Sequence, residues 1–338
     1  MGSPPQHADL RPAGLPAPEG VVRLPSPLPL RHGGSLPDAC LAWRIAGPAG
    51  APLVLAIGGI SAHRRVSAED DGWWAPVVGR GRALDTARYR VLGVDYLGGS
   101  GESTGPAAGG APFPSLSAFD QADAIAVLAA RLGLGRLHAV AGASYGGQVA
   151  LAIGARHPAL AARLLVISAA DRTQPLATAW RSVEREIVRF GIKSGDAAHG
   201  LKLARALAMC TYRTAREFAA RFAGSPRADA DRLRLPVEDY LYARGDAYVA
   251  RYRPESFVCL SESIDLFQID AADVRLPVTV VAVPEDQLVP YADLESCVAR
   301  LPDGRLARLD SIYGHDAFLK EADALKPIFA ACLEGADR

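Results

Sequence analysis

Residues 137–151 of the chain read LHAVAGASYGGQVAL, and this stretch decides the fold. An apolar run leads into G-x-S-x-G, and a helix-forming run follows at once, which is the context that makes this motif specific. The flanking glycines allow a strand and a helix to meet across a tight, strained turn. Ser144 is then expected at the N-terminus of a helix, where partial positive charge favours a developing oxyanion. We therefore predict that Ser144 is a nucleophile.

Largely apolar runs of similar length lie on both sides of this stretch. With the run inside it, they occupy residues 52–60, 89–96, 137–143, 163–169 and 277–283. Amphipathic segments separate them, and helices are predicted at 117–132, 145–157 and 323–333. Short runs that are apolar on both faces and alternate with helices indicate parallel strands in a βαβ arrangement. The predicted fold class is α/β, with a mostly parallel central sheet and helices on both faces.

Two segments depart from this alternation. Residues 172–272 read as helical without a convincing buried strand, and we predict that they form a helical lid inserted between two late strands. Lids of this kind cover the carboxyl ends of the strands, where ligand sites of α/β proteins lie. Residues 1–24 are rich in Pro, Gly and Ala and are predicted to form a flexible arm. The core is then expected to comprise residues 25–171 and 273–338.

A serine nucleophile needs a base, and the base needs a carboxylate that holds it in one tautomer. Where the nucleophile lies in this strand–turn–helix context, the partners follow in the order Ser, Asp, His. Asp286 lies in the loop after the last of the apolar runs and is the predicted acid, with Glu285 as its rival. His315 is the only histidine after Asp286, and it is therefore the predicted base. Ser144, Asp286 and His315 predict the catalytic triad of an α/β-hydrolase fold.

The oxyanion formed during acyl transfer needs two backbone donors. One is predicted to be the N–H of Tyr145, the residue after the nucleophile. The other is expected from the loop after the run at 52–60, with Ile60 as first choice and Gly59 as second.

Composition limits the partners that this chain can have. Lys plus Arg and Asp plus Glu number 37 each in 338 residues, so no global field attracts nucleic acid or anionic membranes. The N-terminus has no apolar signal region, and no apolar run approaches the ~20 residues of a transmembrane helix. Five dispersed cysteines without C-x-x-C pairing argue against a zinc site or a disulfide framework and suit a reducing compartment. We expect a cytoplasmic enzyme without a metal, a nucleic-acid partner or a membrane partner.

Several longer motifs follow one another in order between about residues 25 and 335. They are GWWAPVVGRGRALDTARYRVLGVDYLGGSGESTGP (72–106), PFPSLSAFDQ (112–121), GASYGGQVAL (142–151), MCTYRTAREFAARF (209–222), FVCLSESIDLFQID (257–270) and SIYGHDAFLKE (311–321). On these motifs the chain resembles the homoserine O-acyltransferases of the α/β-hydrolase superfamily.

The resemblance implies a ping-pong reaction. Ser144 would take an acyl group from acyl-coenzyme A, the co-substrate, and pass it to the side-chain hydroxyl of L-homoserine, which His315 deprotonates. The product would serve methionine biosynthesis, and no cofactor would be bound. The resemblance also implies that Asp316 binds the substrate ammonium group, and that a lid arginine, best matched by Arg185, binds the carboxylate near Tyr212. It further implies a homodimer with lid helices at the interface.

The chain departs from the family pattern at two places. Acetyltransferase members commonly read SMGG at the nucleophile and LTG at the first oxyanion loop, whereas this chain has SYGG and GGISAHRRV, and its lid is short. These features are similar to the bacterial branch of homoserine O-succinyltransferases. We therefore predict succinyl-CoA as the donor, with acetyl-CoA as the alternative. Arg64 and Arg65 are hypothesised to neutralise the free carboxylate of the succinyl group.

Three other interpretations stay open at this point. Serine could replace homoserine as the acceptor. An esterase or thioesterase could use the same triad, because the fold alone does not separate transfer from hydrolysis. An amino-acid clamp such as Asp316 with Arg185 would favour transfer. A non-catalytic binding module is a third interpretation, against which an intact triad counts strongly.

Overall fold

The structure is a computed structural model, and it describes residues 19–110, 112–230 and 232–335. An eight-stranded sheet lies at the centre of the molecule. Its strands in chain order are β1 (Glu19–Arg23), β2 (Cys40–Ala46), β3 (Leu53–Ile57), β4 (Arg90–Val94), β5 (Ala139–Ala143), β6 (Leu164–Ile167), β7 (Val278–Ala282) and β8 (Gly304–Arg308). Each of the five predicted apolar runs contains one strand, from β3 to β7.

The order of the strands across the sheet is β1-β2-β4-β3-β5-β6-β7-β8. β2 runs antiparallel to both β1 and β4, and all other neighbours are parallel. The prediction of a mostly parallel sheet is therefore confirmed. Because parallel strands end at the same edge, the loops that follow β5, β7 and β8 lie close together, although the chain between them is long.

Ten α-helices lie among the described residues. They are α1 (Ala118–Arg131), α2 (Tyr145–Arg156), α3 (Pro175–Ser194), α4 (Ala197–Tyr212), α5 (Ala215–Phe222), α6 (Pro236–Val249), α7 (Pro254–Asp265), α8 (Tyr291–Arg300), α9 (Ala317–Lys320) and α10 (Ala322–Glu334). The three helices predicted from the sequence are α1, α2 and α10. The start of α1 has a local cause: the Ser117 side chain accepts from the Asp120 N–H, and the Asp120 carboxylate accepts from the Ser117 N–H.

Both faces of the sheet are covered by helices, as predicted. On one face Ile125 of α1 and Val149 of α2 pack in the same apolar cluster as Val140 of β5. On the other face Phe329 of α10 packs in a second cluster with Leu165 of β6. This double covering explains why the central strands are apolar on both sides.

Helices α3 to α7 lie between β6 and β7 along the chain, in the segment where the lid was predicted. They have a small apolar core of their own, which includes Val188, Leu201, Tyr248 and Phe257. A short hairpin, in which Arg227–Asp229 pairs with Arg232–Arg234, interrupts the helices and was not predicted. Among the described residues, no helix is both long enough and apolar enough to cross a membrane.

The predicted N-terminal arm needs a correction. It was expected to extend to residue 24, but residues 19–23 form β1 at the edge of the sheet and Leu24 is buried. The strand has only two apolar residues, Val21 and Val22, so its pattern is too short to recognise in the sequence. The remainder of the predicted arm, residues 1–18, lies outside the described residues.

Candidate active site

Ser144 lies on a strained turn between β5 and α2. Its backbone has φ 55° and ψ −122°, an unusual conformation for a residue with a side chain. The flanking glycines make the turn possible, because a Cβ on Gly142 would lie 2.2 Å from the carbonyl oxygen of Gly146, and a Cβ on Gly146 would lie 2.4 Å from that of Ile57. The turn predicted from G-x-S-x-G is therefore present.

The three predicted triad residues form one chain of hydrogen bonds. His315 Nε2 lies 2.8 Å from Ser144 Oγ, and His315 Nδ1 lies 2.7 Å from Asp286 Oδ2. Asp286 follows β7, and His315 lies in a short 3-10 helix after β8. The edge of the parallel sheet thus brings together residues that are up to 171 positions apart. Glu285, the rival acid, is instead on the surface, where it pairs with Arg216 at 2.9 Å.

The charges around His315 favour its protonated form. Burial lowers the pKa of His315, but the charge of Asp286 and its hydrogen bond outweigh this effect, so that the pKa is raised above its usual value. The other oxygen of Asp286 accepts hydrogen bonds from the N–H groups of Leu288 and Val289, at 2.9 and 3.1 Å. These two bonds fix the orientation of the carboxylate toward the imidazole. The arrangement suits a base that takes a proton from Ser144 and gains a stabilised positive charge.

The two predicted oxyanion donors are available. Within the described part of the chain, neither the Tyr145 N–H nor the Ile60 N–H makes a hydrogen bond. Tyr145 is the first residue of α2, whose first N–H groups have no partner inside the helix. The loop that carries Ile60 is attached to the lid, because the Tyr252 hydroxyl donates to the Ile60 carbonyl oxygen at 2.7 Å.

A cavity opens above Ser144 and His315. Its lining comes from the ends of the strands and from lid helices α3 and α4, which contribute Arg181, Glu184 and Tyr212. Tyr212 was predicted to lie at the substrate site, and its ring centroid is 5.8 Å from that of His315. The described residues contain no group of His, Cys, Asp and Glu side chains suited to hold a metal ion.

Arg185, the predicted carboxylate ligand, does not line this cavity. Its Nη1 lies 2.6 Å from Asp265 and 3.1 Å from the carbonyl oxygen of Ser261, and its Nη2 donates to Ser182. Arg185 is therefore a buried structural residue that ties α3 to α7. The sequence could not show this, because Asp265 is 80 positions away along the chain.

Asp316, the predicted ligand of the substrate ammonium group, is also engaged by the protein. Arg213 Nε lies 3.0 Å from Asp316 Oδ2, and both side chains are buried. Asp316 is not among the residues that line the cavity. Its charge helps to raise the pKa of the neighbouring His315.

The structure shows a different free cation beside the site, which was not singled out from the sequence. Arg205 of α4 is half-buried, with its guanidinium carbon 5.1 Å from the ring centroid of Tyr212 and 4.8 Å from that of Tyr248. Within the described residues it makes no hydrogen bond or ion pair. The sequence did contain an indication that Arg205 lies near the site. It lies two helical turns before Tyr212 and therefore on the same side of α4.

The hypothesis about Arg64 and Arg65 is not supported by their positions. Arg64 forms ion pairs with Asp95 and Glu102, and Arg65 lies near Glu19 at 3.5 Å. Neither lines the cavity. The arginine that does so from α3 is Arg181, whose Nε and Nη2 bind Asp265 at 2.9 and 2.6 Å. Among the described groups its Nη1 has no partner.

Comparisons with known proteins identify the fold and the family of the chain. The α/β hydrolase fold family matches residues 52–322. A homoserine O-succinyltransferase of Xanthomonas campestris is 45% identical over 311 residues, which are 90% of this chain and 82% of that protein. A serine O-succinyltransferase of Stenotrophomonas maltophilia is 33% identical and covers 92% of this chain and 96% of its own. The crystal structure of a homoserine O-acetyltransferase from Bacillus anthracis has the same fold, with a TM-score of 0.83 and 18% identity over 93% of this chain and 97% of its own.

Proposed function

Since the chain belongs to the α/β-hydrolase fold family, and within it to the acyltransferases, we propose that it transfers a succinyl group from succinyl-CoA to the side-chain hydroxyl of L-homoserine. The observation that carries this proposal is the unbroken chain of hydrogen bonds from Asp286 through His315 to Ser144 at a lid-covered cavity. The 45% identity to a homoserine O-succinyltransferase supports the choice of donor and acceptor.

We propose a ping-pong mechanism. Ser144 Oγ attacks the thioester carbon while His315 Nε2 takes its proton, and this proton then passes to the sulfur as the C–S bond breaks. Free coenzyme A leaves, and a succinyl ester of Ser144 remains. The acceptor hydroxyl then loses its proton to His315 and attacks the ester, and the same proton returns to Ser144 Oγ. Asp286 holds the Nδ1–H of His315, and the N–H groups of Tyr145 and Ile60 stabilise the oxyanion in each step.

Arg205 is the proposed ligand of the α-carboxylate of the acceptor. It replaces Arg185, because it makes no hydrogen bond or ion pair with the described residues and a planar guanidinium can bind both oxygens of a carboxylate. Arg205 does not itself line the cavity, but its guanidinium packs against the ring of Tyr212, which does. A hydrolase that acts on simple esters has no use for this group, so Arg205 favours transfer to an amino acid over an esterase or thioesterase reaction.

Arg181 is the proposed ligand of the distal carboxylate of the succinyl group. Asp265 is shared by Arg181 and Arg185, at 2.6 Å from each, so these three side chains together carry one net positive charge. Arg181 lines the cavity, and an acetyl group would supply no anion for its Nη1, which has no partner among the described residues. This feature supports succinyl-CoA rather than acetyl-CoA.

The setting of the reaction is also a proposal. We propose a cytoplasmic homodimer that makes O-succinyl-homoserine for methionine biosynthesis. All five cysteines are free, which fits a reducing compartment. Serine is the second candidate acceptor, since a serine O-succinyltransferase covers nearly the whole chain at 33% identity.

Thiol release tests the proposal. The purified protein is mixed with succinyl-CoA or acetyl-CoA, alone and with L-homoserine or L-serine, and free coenzyme A and the acylated products are measured. We expect a rapid burst of thiol with succinyl-CoA alone and steady turnover when homoserine is added. The Arg181→Gln protein should lose roughly 10- to 100-fold of its preference for succinyl-CoA over acetyl-CoA, whereas Arg189→Gln, on the solvent side of α3, should keep it. Absence of the burst would exclude the mechanism, and faster turnover with serine would change the acceptor.

A further inference from the structure

Glu184 is an unpaired acidic side chain inside the cavity. It lies on α3, is only 3% exposed and lines the cavity together with Ser144 and His315. Among the described residues it makes no hydrogen bond and no ion pair, although buried carboxylates normally have partners. The proposed mechanism gives it no role.

The basic residues around Glu184 do not pair with it. Arg181 and Arg185 belong to the same helix but are bound to Asp265. Arg205 on α4 is close enough to affect the ionisation of Glu184, but it lies beyond ion-pair distance. Burial raises the pKa of Glu184 to about 7, and the three arginines oppose this effect. The carboxylate therefore keeps acceptor capacity that a ligand can use.

The chemistry of Glu184 selects a cation with several N–H donors. A negative group placed directly against Glu184 would be repelled by the ionised side chain. An ammonium group offers three donors and a full positive charge. The acceptor amino acid carries such a group next to its α-carboxylate, and Asp316, which the family resemblance assigned to it, is already bound by Arg213.

We propose that Glu184 binds the α-ammonium group of the acceptor while Arg205 binds its α-carboxylate. Glu184 on α3 lines the cavity, and Arg205 on the neighbouring α4 carries the opposite charge and packs behind the lining residue Tyr212. This assignment rests on the proposed function and adds to it the residue that distinguishes an amino acid from a simple hydroxy acid. The other acid that lines the cavity, Asp293, is exposed and lies at the N-terminus of α8.

The test compares L-homoserine with 4-hydroxybutanoate, which is the same molecule without the amine. The ratio of kcat/KM for the two acceptors is measured with succinyl-CoA for the wild type, for Glu184→Gln and for Glu186→Gln. Glu184→Gln has almost the same shape but no charge, and we expect it to lose roughly 10- to 100-fold of the preference for the amine. Glu186 is the matched control, because its side chain is 68% exposed on the same helix and forms an ion pair with Arg189. Its variant should keep the wild-type ratio.

The outcomes separate this inference from the proposed function. A wild-type burst of thiol release together with an unchanged acceptor ratio in Glu184→Gln overturns the role of Glu184 alone. The same holds if the wild type uses both acceptors equally well. Absence of the burst overturns the proposed function, and the assignment of Glu184 with it. A selective loss in Glu184→Gln with an intact burst supports both.

Discussion

At the scale of single residues, Asp286 uses its two oxygens for different purposes. Oδ2 accepts from His315, and Oδ1 accepts from two backbone N–H groups. In Asp286→Asn the retained oxygen can keep the backbone bonds, and the amide nitrogen then faces His315 Nδ1. The imidazole must protonate on Nε2 instead, and it can no longer accept the proton of Ser144. We expect kcat to fall by about 10⁴-fold with little change in thermal stability.

Glu285→Gln is the matched control for this prediction. Glu285 is the neighbouring acid, but its side chain is 39% exposed and pairs with Arg216 on the surface. Turnover of succinyl-CoA and thermal unfolding are measured for both variants. If Glu285→Gln were the variant that lost activity, the carboxylate of the triad would be misassigned.

Glu184 also gives the protein a pH-dependent stability. Its pKa is raised in the folded state, from 4.5 to about 7, mainly by burial. The folded protein therefore holds this proton more tightly than the unfolded chain, so stability is greatest below the unfolded pKa and is lost as the pH rises toward 7. Glu184→Gln removes the titration, and the variant should exceed the wild type by at most about 3 kcal/mol at pH 8.

Urea unfolding of the wild type and of Glu184→Gln at pH 5 and at pH 8 measures this effect. The difference in the free energy of unfolding should be small at pH 5 and large at pH 8. An equal difference at both values would mean that Glu184 is already ionised at pH 5, and that the cavity solvates it. Because unfolding involves no substrate, this measurement is independent of the catalytic proposal.

The sequence predicts some of the site residues and not others. Ser144, Asp286 and His315 could be predicted because a local motif and the chain order determine them. The choice among lid arginines could not, because it depends on which of them is neutralised by the distant Asp265. Helical periodicity places Arg185 and Arg205 on helices, but it does not tell which guanidinium is free.

At the scale of elements, α3 has an exposed apolar stripe. Leu176, Val183 and Phe190 are 52%, 54% and 73% exposed and are spaced seven residues apart. This spacing places them on one face, as in helices that pair side by side. We predict that α3 contacts a second copy of the chain, because an exposed stripe of this length is costly in a monomer. The wild type should be a dimer in sedimentation experiments, and Phe190→Asp should be a monomer.

The control for this prediction lies elsewhere in the lid. Leu233 of the hairpin is 69% exposed, and Leu233→Asp should leave the dimer intact. A monomeric wild type would contradict the prediction, and dissociation by Leu233→Asp alone would move the interface to the hairpin. Both variants change exposed side chains, so neither is expected to destabilise the fold of the single chain.

Some strands can be predicted from the sequence, and others cannot. The five central strands could be predicted because both of their faces are buried, which gives continuous apolar runs. The edge strand β1 and the lid hairpin could not, because they are short and largely exposed, and their stability comes from pairing with a neighbour. The order of the strands across the sheet also depends on these pairings and not on any single run.

At the scale of the whole molecule, lid and core are joined around the reacting serine. The Tyr252 hydroxyl binds the Ile60 carbonyl oxygen at 2.7 Å, and Thr214 Oγ1 binds that of Ile312 at 2.6 Å. Arg253, at the start of α7, donates to the carbonyl oxygen of Gly99 at 2.6 Å. Such closure matters for a transferase, because water that enters the cavity would hydrolyse the acyl-enzyme.

The Arg253 contact allows this closure to be tested far from the reacting atoms. Arg253→Met keeps the backbone N–H that binds Ser100, but it removes the side-chain bond to Gly99 and the longer one to Ser256 within the lid, at 3.4 Å. A looser lid should raise the ratio of succinate to succinylated amino acid among the products by about two- to tenfold, as expected for the loss of one hydrogen bond between lid and core. Arg251→Met is the control, since Arg251 is exposed and has no hydrogen-bond partner for its side chain among the described residues. An unchanged product ratio in Arg253→Met, with both acceptor and donor saturating, would mean that other contacts hold the lid closed.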